Sequence, residues 1–170
     1  MSTAAEIRVA PALPADVRAI HRLVEPYAHE RILLAKEWVG YYEAVQEFVV
    51  AEAPDGGVVG CGALHVMWQD LAEIRTLAAD RGYRGTGVGH ALLDALLERA
   101  RELGLRRVFC LTFEVDFFAA HGFAPIDGTP VTPDVYAELL RSHDDGVAEF
   151  LDLARVKPNT LGNTRMLLHL

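Results

Sequence analysis

The residues with the most chemistry to offer lie between Glu73 and Gly89. Arg81-Gly82-Tyr83-Arg84-Gly85-Thr86-Gly87-Val88-Gly89 separates a strand-like run from a long helical pattern. Glycines at 85, 87 and 89 let the backbone approach a ligand closely and turn several amide N–H groups into one concavity. The following helix adds unpaired N–H groups and the positive end of its dipole, and Arg84 adds a fixed charge. Arg84, Gly85, Thr86, Gly87, Val88 and Gly89 therefore form an anion cradle suited to a phosphate or pyrophosphate. Upstream, Glu73 sits in L-A-E-I-R-T-L-A, the strand leading into that cradle. A partly buried carboxyl there is raised in pKa towards neutrality and can take a proton from an ammonium, directly or through a water. The competing role for Glu73 is structural, an ion pair with Arg75 two residues on and on the same face.

Other phosphate motifs fit less well. The turn lacks the Lys-Ser/Thr ending of a nucleoside-triphosphate loop. Its third glycine also comes one residue early for the dinucleotide fingerprint. Glu114 lies where a ribose-binding acid would stand, but three strands with hairpin-type links precede the turn, so the dinucleotide reading ranks second. His21, Glu25 and His29 have the i, i+4, i+8 spacing of metal ligands, but Pro26 is expected to end their helix, and no metal is expected. Cys61 and Cys110 sit in apolar runs without a histidine neighbour or CxxC spacing, so they read as buried core thiols. Transfer chemistry, if present, is then direct, without an acyl-enzyme.

The elements that must position these groups follow from periodicity. Alternation marks strands at Glu6–Ala10, Phe48–Ala53, Val58–Met67 and Leu71–Ala78, with Asp55-Gly56-Gly57 as a tight turn. Pro14 opens a helix that Pro26 is expected to close, and a second helical stretch is expected across Arg31–Gln46. From Gly87, the residues Val88, Leu92, Leu96, Ala100 and Leu103 form one helical stripe capped by Gly104. Arg107–Phe113 is a nearly continuous apolar run, the mark of a central strand. A short helix carrying Phe117 and Phe118 ends at His121-Gly122, before a strand at Phe123–Ile126. Pro133–Ala154 reads as helix in two pieces, with Ser142 and Asp145 resembling a capping pair. Thr164–Leu170 is the last strand. This order predicts an α/β (α+β) fold, a mixed central sheet flanked by helices in one domain over residues 1–170.

Composition narrows the class. With 51% hydrophobic and 24% charged residues the chain is globular rather than disordered or fibrous. A net charge of −8 disfavours general binding to nucleic acid or anionic lipid, so neither is expected as a partner. No signal peptide is expected at Met1–Glu6, and no run approaches the ~18 apolar residues of a membrane span. Cysteine usage points to a reducing, cytoplasmic setting.

Two motifs together carry a family resemblance. Arg84-x-x-Gly87-x-Gly89 after one strand, and Phe118-x-x-x-Gly122-Phe123 after the next, resemble the GCN5-related N-acetyltransferases (GNAT superfamily). The resemblance implies the GNAT fold over essentially the whole chain. It also implies that the glycine-rich turn holds the pyrophosphate of acetyl-CoA, while Leu77, Ala78 and Ala79 line the pantetheine with backbone groups. A narrower resemblance, to the acetyltransferase domain of N-acetylglutamate synthases, rests on three segments. These are Ala72-Glu73-Ile74-x-x-Leu77-Ala78, Gly104-Leu105-x-x-x-Phe109-x-Leu111-Thr112 and Phe117-Phe118-x-x-His121-Gly122-Phe123. The tail from Lys157 to Leu167 is similar to the short, single-domain actinobacterial members.

The resemblance implies an amino-acid N-acetyltransferase acting on the α-amine of glutamate or glutamine in arginine biosynthesis. Glu73 is then the general base, and a backbone N–H of Leu77–Ala79 steadies the oxyanion. Many family members carry a Tyr at the position of Phe118; Phe has no proton to give, so Thr112 is the candidate hydrogen-bond donor to the acceptor or the leaving sulfur. Lys36 and Arg165 are the candidate partners of the acceptor's carboxylate. Acetylation of another amine (a protein N-terminus, a polyamine or an antibiotic) stays open, as does a non-catalytic acyl-CoA sensor. The final strands, read as exposed, suggest a homodimer.

Overall fold

Strand-forming runs and amphipathic helices alternate along the chain as their periodicities require. The computed structural model describes residues 6–33, 36–160 and 162–170. In chain order the elements are β1 (Arg8–Pro11), α1 (Val17–His29), α2 (Trp38–Glu43), β2 (Phe48–Glu52), β3 (Val58–Trp68), β4 (Leu71–Ala79) and α3 (Val88–Glu102). They continue with β5 (Arg107–Thr112), α4 (Val115–Ala119), β6 (Ala124–Pro125), α5 (Pro133–Leu139), α6 (Asp145–Phe150), α7 (Lys157–Thr160) and β7 (Thr164–His169). The strands hydrogen-bond in the order β1-β2-β3-β4-β5-β7-β6. Pairing is parallel at β4/β5 and antiparallel at β1/β2, β2/β3, β5/β7 and β6/β7, which is the mixed sheet the sequence predicts. Among the described residues no helix is long and apolar enough to cross a membrane. Two compact units are distinguished, Met1–Leu64 with Thr76–Arg99, and His65–Arg75 with Ala100–Leu170.

In the first unit, Val17, Ile20, Leu23, Val24 and Tyr27 lie on one face of α1 and pack with Tyr41, Phe48, Val50 and Cys61. Two expectations are corrected here. Pro26 does not end α1: it stands exposed inside the helix, which runs to His29. An exposed proline forfeits one backbone hydrogen bond, while the buried Tyr27 just beyond it anchors the following turn. The expected helix over Arg31–Gln46 is reduced to α2, with Leu34 and Ala35 outside the described residues. Arg31 has φ 60, and the N–H groups of Ile32 and Leu33 fold back onto the Tyr27 carbonyl, so this segment terminates α1 instead of starting a new helix.

The first part of α3 lies close over β3 because β3 presents glycines. A Cβ on Gly60 would stand 2.7 Å from Val88 Cγ1 and 2.8 Å from Leu92 Cδ1; one on Gly62 would stand 2.8 Å from Leu77 Cδ1 and 2.9 Å from Leu96 Cδ1. Val88 and Leu92 are themselves buried and have little room to retreat. Gly60→Ala is therefore expected to destabilise the protein by about 1–3 kcal/mol through overpacking, read as a lowered Tm in thermal unfolding. At its far end α3 closes as the Gly104 expectation requires. Gly104 N–H donates to Arg101 and Leu105 N–H to Ala100 (both 3.0 Å), with Gly104 at φ 77. The stripe stops one position early, however: Leu103 follows the last helical residue and is exposed.

In the second unit, β5 is paired on both sides, as its apolar run predicts. Leu71, Ala72 and Glu73 register with Arg107, Val108 and Phe109, while Arg107–Thr112 registers with His169–Thr164. Leu71, Phe109, Val147, Phe150, Leu151 and Leu167 form the core, with the Phe109 and Phe150 rings edge to face at 5.2 Å. The cap of α6 is Asp144, whose carboxylate accepts from Val147 N–H at 3.0 Å. Ser142 instead accepts from Asp144 N–H, so the capping expectation was displaced by two residues.

Candidate functional site

The glycine-rich turn is built by local chemistry. The Asp80 carboxylate accepts from Gly82 N–H at 2.9 Å and starts a short 3-10 turn over Arg81–Tyr83. Gly85 and Gly87 then adopt φ 77 and φ 89, with open space where a Cβ would lie, so backbone conformation rather than crowding demands glycine at both. Ala91 N–H donates to Gly87, which leaves the N–H groups of the preceding first turn of α3 without intrahelical acceptors. Unpaired N–H groups at a helix start suit an anion such as a phosphate group, and the turn expected to hold one spans Arg84–Gly89.

The end of α1 holds the approach to the turn. Tyr27 OH donates to the Ala79 carbonyl at 2.7 Å, and Arg81 pairs with Glu30 at 2.7 Å while lying 5.3 Å from the centre of the Tyr27 ring. Just before Leu77, Ala78 and Ala79, Thr76 adopts φ 57, a left-handed conformation that strains a β-branched residue.

Glu73 belongs to a buried charge cluster. Its Oε1 accepts from Arg75 Nε at 2.7 Å, whereas Oε2 is buried without a hydrogen-bond partner among the described residues. Arg75 turns its other nitrogens on Asp144, Nη1 to Oδ2 at 2.9 Å and Nη2 to Oδ1 at 2.7 Å. The α6 backbone comes this close because Gly146 has no side chain: a Cβ would lie 2.3 Å from Glu73 Oε1 and 2.4 Å from Arg75 Nη2. His65 Nε2 lies 3.9 Å from Asp144.

The cluster sets its own proton affinities. Burial pushes the Glu73 carboxyl up, against the opposing charge of Arg75. Burial would also raise Asp144, but the hydrogen bonds and charge of Arg75 outweigh it and hold Asp144 well below the usual carboxylate range. Burial and the Glu73 charge push Glu149 up to about 8. A carboxylate with one oxygen fixed and the other unpartnered is equipped to accept a proton. The ion pair with Arg75 and the basic role are thus compatible, since each uses a different oxygen.

The other expected residues are distributed unevenly. Thr112 is buried and its hydroxyl oxygen accepts from Glu114 N–H at 2.8 Å, which leaves the hydroxyl proton for donation. Phe118 is buried with Phe117 and Phe123, each ring at 5.2 Å, and serves packing. Arg165 points at the end of α6, its Nε donating to the Glu149 carbonyl at 3.2 Å and its Nη2 to that of Phe150. Lys36 is half-buried beside the buried Tyr41, to whose hydroxyl its backbone is hydrogen-bonded. His21, set aside as a metal ligand, stacks on Trp38 at 4.0 Å. The thiols of Cys61, pushed by burial up to about 12, and Cys110, also raised, are unsuited to nucleophilic work. Asp144, Gly146 and Glu149 were missed in the sequence. The available signal was Glu149 itself, a lone acid inside the run Val147 to Leu151.

Comparison with known proteins supplies the family. Residues 15–124 match the Acetyltransferase (GNAT) family. The chain is 64% identical over 155 residues to an amino-acid acetyltransferase of Mycobacterium tuberculosis, covering 90% of this chain and 88% of that protein. It superposes with a TM-score of 0.93 on the crystal structure of Rv2747 from Mycobacterium tuberculosis in complex with CoA and NLQ, at 62% identity over 96% of this chain and 99% of that one. N-acetylglutamate synthase from Neisseria gonorrhoeae, complexed with coenzyme A and N-acetyl-glutamate, gives a TM-score of 0.77 over 98% of this chain and 35% of that chain; at 23% identity it shares the fold alone.

Proposed function

Because the chain belongs to the GNAT family of acetyltransferases, we propose that it transfers the acetyl group of acetyl-CoA directly to the α-amine of an amino acid, glutamate or glutamine, on the way to arginine. Glu73 carries this reading: a buried carboxylate, half paired with Arg75 and half unpartnered, on the strand that runs into the anion cradle. Acetyl-CoA supplies the activated thioester. Glu73 takes a proton from the acceptor ammonium through Oε2. A backbone N–H in Leu77–Ala79 faces the developing oxyanion, and the Thr112 hydroxyl donates to the acceptor or the departing sulfur. Lys36, and the Arg165 donors left over from the α6 carbonyls, meet the acceptor carboxylate. Residues 1–170 act as a single domain in the cytoplasm; the homodimer expected from exposed final strands loses its ground, because β7 is paired on both sides, with β5 and with β6.

Three carboxyls around one arginine also suit other ammonium compounds, so a polyamine or protein N-terminus is the second reading. Thiol release from acetyl-CoA across a panel of free amino acids and amines separates the cases. Release with glutamate or glutamine alone supports the proposal; release with polyamines supports the second reading; binding without release in any assay defeats both. In the same assay Arg84→Ala is expected to raise the acetyl-CoA KM about tenfold, equivalent to about 1.4 kcal/mol, with kcat little changed.

A further inference from the structure

A guanidinium and a carboxylate commonly pair fork to fork, with two parallel bonds that occupy both carboxylate oxygens. Glu73 and Arg75 are arranged differently. Arg75 reaches Glu73 through Nε, 2.7 Å from Oε1, and turns Nη1 and Nη2 to Asp144 at 2.9 and 2.7 Å. Oε2 of Glu73 is left without a hydrogen-bond partner among the described residues. Nη2 nevertheless stays close to the Glu73 carboxyl. The point where a Gly146 Cβ would stand is 2.3 Å from Glu73 Oε1 and 2.4 Å from Arg75 Nη2, so both atoms border one small gap. What draws the end of the fork away from Glu73 is the Asp144 carboxylate, itself fixed by Val147 N–H at 3.0 Å from Oδ1.

We propose that Asp144 is a positioning residue for acetyl transfer, which engages the Arg75 fork and so keeps Glu73 Oε2 open to the acceptor's proton. In this role Asp144 touches neither substrate; it acts through Arg75 and Glu73. The inference rests on the acetyltransferase reading above.

Loss of the Asp144 charge has two effects, and they act in the same direction. Arg75 can swing Nη2 onto Glu73 and close a two-bond pair that covers Oε2, and one negative charge leaves the surroundings. An opposite charge favours the ionised form and a like charge disfavours it, so both changes make Glu73 a weaker base. The groups facing Glu73 are Arg75 on its own strand, Asp144 at the start of α6, His65 of β3, Glu149 of α6 and Cys110 of β5. Burial raises the Glu73 carboxyl; Arg75 and His65 oppose that rise and Asp144 adds to it. Asp144 is itself held well below the usual carboxylate range, because Arg75 outweighs the effect of burial, so it stays ionised and keeps the fork around neutral pH.

Two substitutions in the full chain separate this role from the capping of α6. Asp144→Asn keeps a good cap for Val147 N–H but loses the charge, and its amide NH2 turns a donor on the fork. Asp144→Glu keeps the charge on a longer arm but gives up the short side chain that capping prefers. In thiol release, Asp144→Asn is expected to lose about tenfold in kcat with the acetyl-CoA KM unchanged, and the acid limb of its kcat–pH profile moves to lower pH. Asp144→Glu is expected to stay within about threefold of the unmodified protein in kcat. A residue needed only as a helix cap gives the reverse order, with the Glu variant the slower. In a Glu73→Gln background, Asp144→Asn is expected to change kcat by less than about twofold, because the group it acts through is gone.

An unchanged kcat or an unmoved pH profile in Asp144→Asn overturns the proposal. So does an Asp144→Glu protein as slow as Asp144→Asn, or a loss as large in the Glu73→Gln background as in the unmodified one. Where Asp144→Asn yields no folded protein, as judged by coenzyme A binding, the rate of Asp144→Glu decides alone, and a loss of about tenfold there overturns the proposal. A protein that releases no thiol with any amine defeats the acetyltransferase reading and this inference with it. An active protein that fails these tests defeats the inference alone.

Discussion

Glu73→Gln is expected to lower turnover by about 100-fold or more while leaving the acetyl-CoA KM unchanged. The substitution preserves shape, and an amide oxygen can still accept from Arg75 Nε, now 2.7 Å from Glu73 Oε1. What it removes is the capacity to take up a proton at Oε2, which is buried and has no hydrogen-bond partner among the described residues. A residue serving only the ion pair would show the opposite pattern, with lowered stability and preserved turnover. Steady-state thiol release, with coenzyme A binding measured on the same preparation, distinguishes the two. Unchanged turnover removes Glu73 from the mechanism.

Arg75→Met should destabilise the protein by about 3–5 kcal/mol, the usual penalty for removing one partner of a buried ion pair. Arg75 is the cation to which both Glu73 and Asp144 are bonded, and its side chain is only 12% exposed. Lysine in its place should restore little, because one ammonium cannot reproduce the three bonds a guanidinium makes here. The pH dependence identifies the cause. Asp144 is depressed in the folded protein, so its contribution to stability is present above its unfolded pKa of about 3.9 and disappears as pH falls through the lower folded value. The deficit of Arg75→Met relative to the unmodified protein should therefore be large at neutral pH and shrink below about pH 4. Urea unfolding at several pH values checks this; a deficit independent of pH would mean that lost packing, rather than lost pairing, is responsible.

Much of the molecule was legible from contiguous residues. The glycine cradle, the α3 stripe with its Gly104 cap, the central apolar run of β5 and the buried thiols depend on neighbours within a turn or a strand, which spacing encodes directly. Where the reading failed, a longer-range contact had outweighed a local preference. Pro26 disfavours helix, yet α1 continues because Tyr27 is buried and its hydroxyl reaches Ala79, 52 residues away. Leu103 follows the helical period but is left exposed because the Gly104 cap turns the chain first.

The sequence by itself determined the fold class, the glycine-rich turn before α3 and the identity of Glu73 as a carboxyl on the strand leading to it, because residue type and period suffice for each. Tertiary structure alone decided what surrounds that carboxyl. Arg75 meets Asp144 across 69 residues, Gly146 admits the contact by having no side chain, and Glu149 follows one turn later. Proton affinity depends on burial and on charges near in space, and these are properties of the folded chain that no spacing along it records.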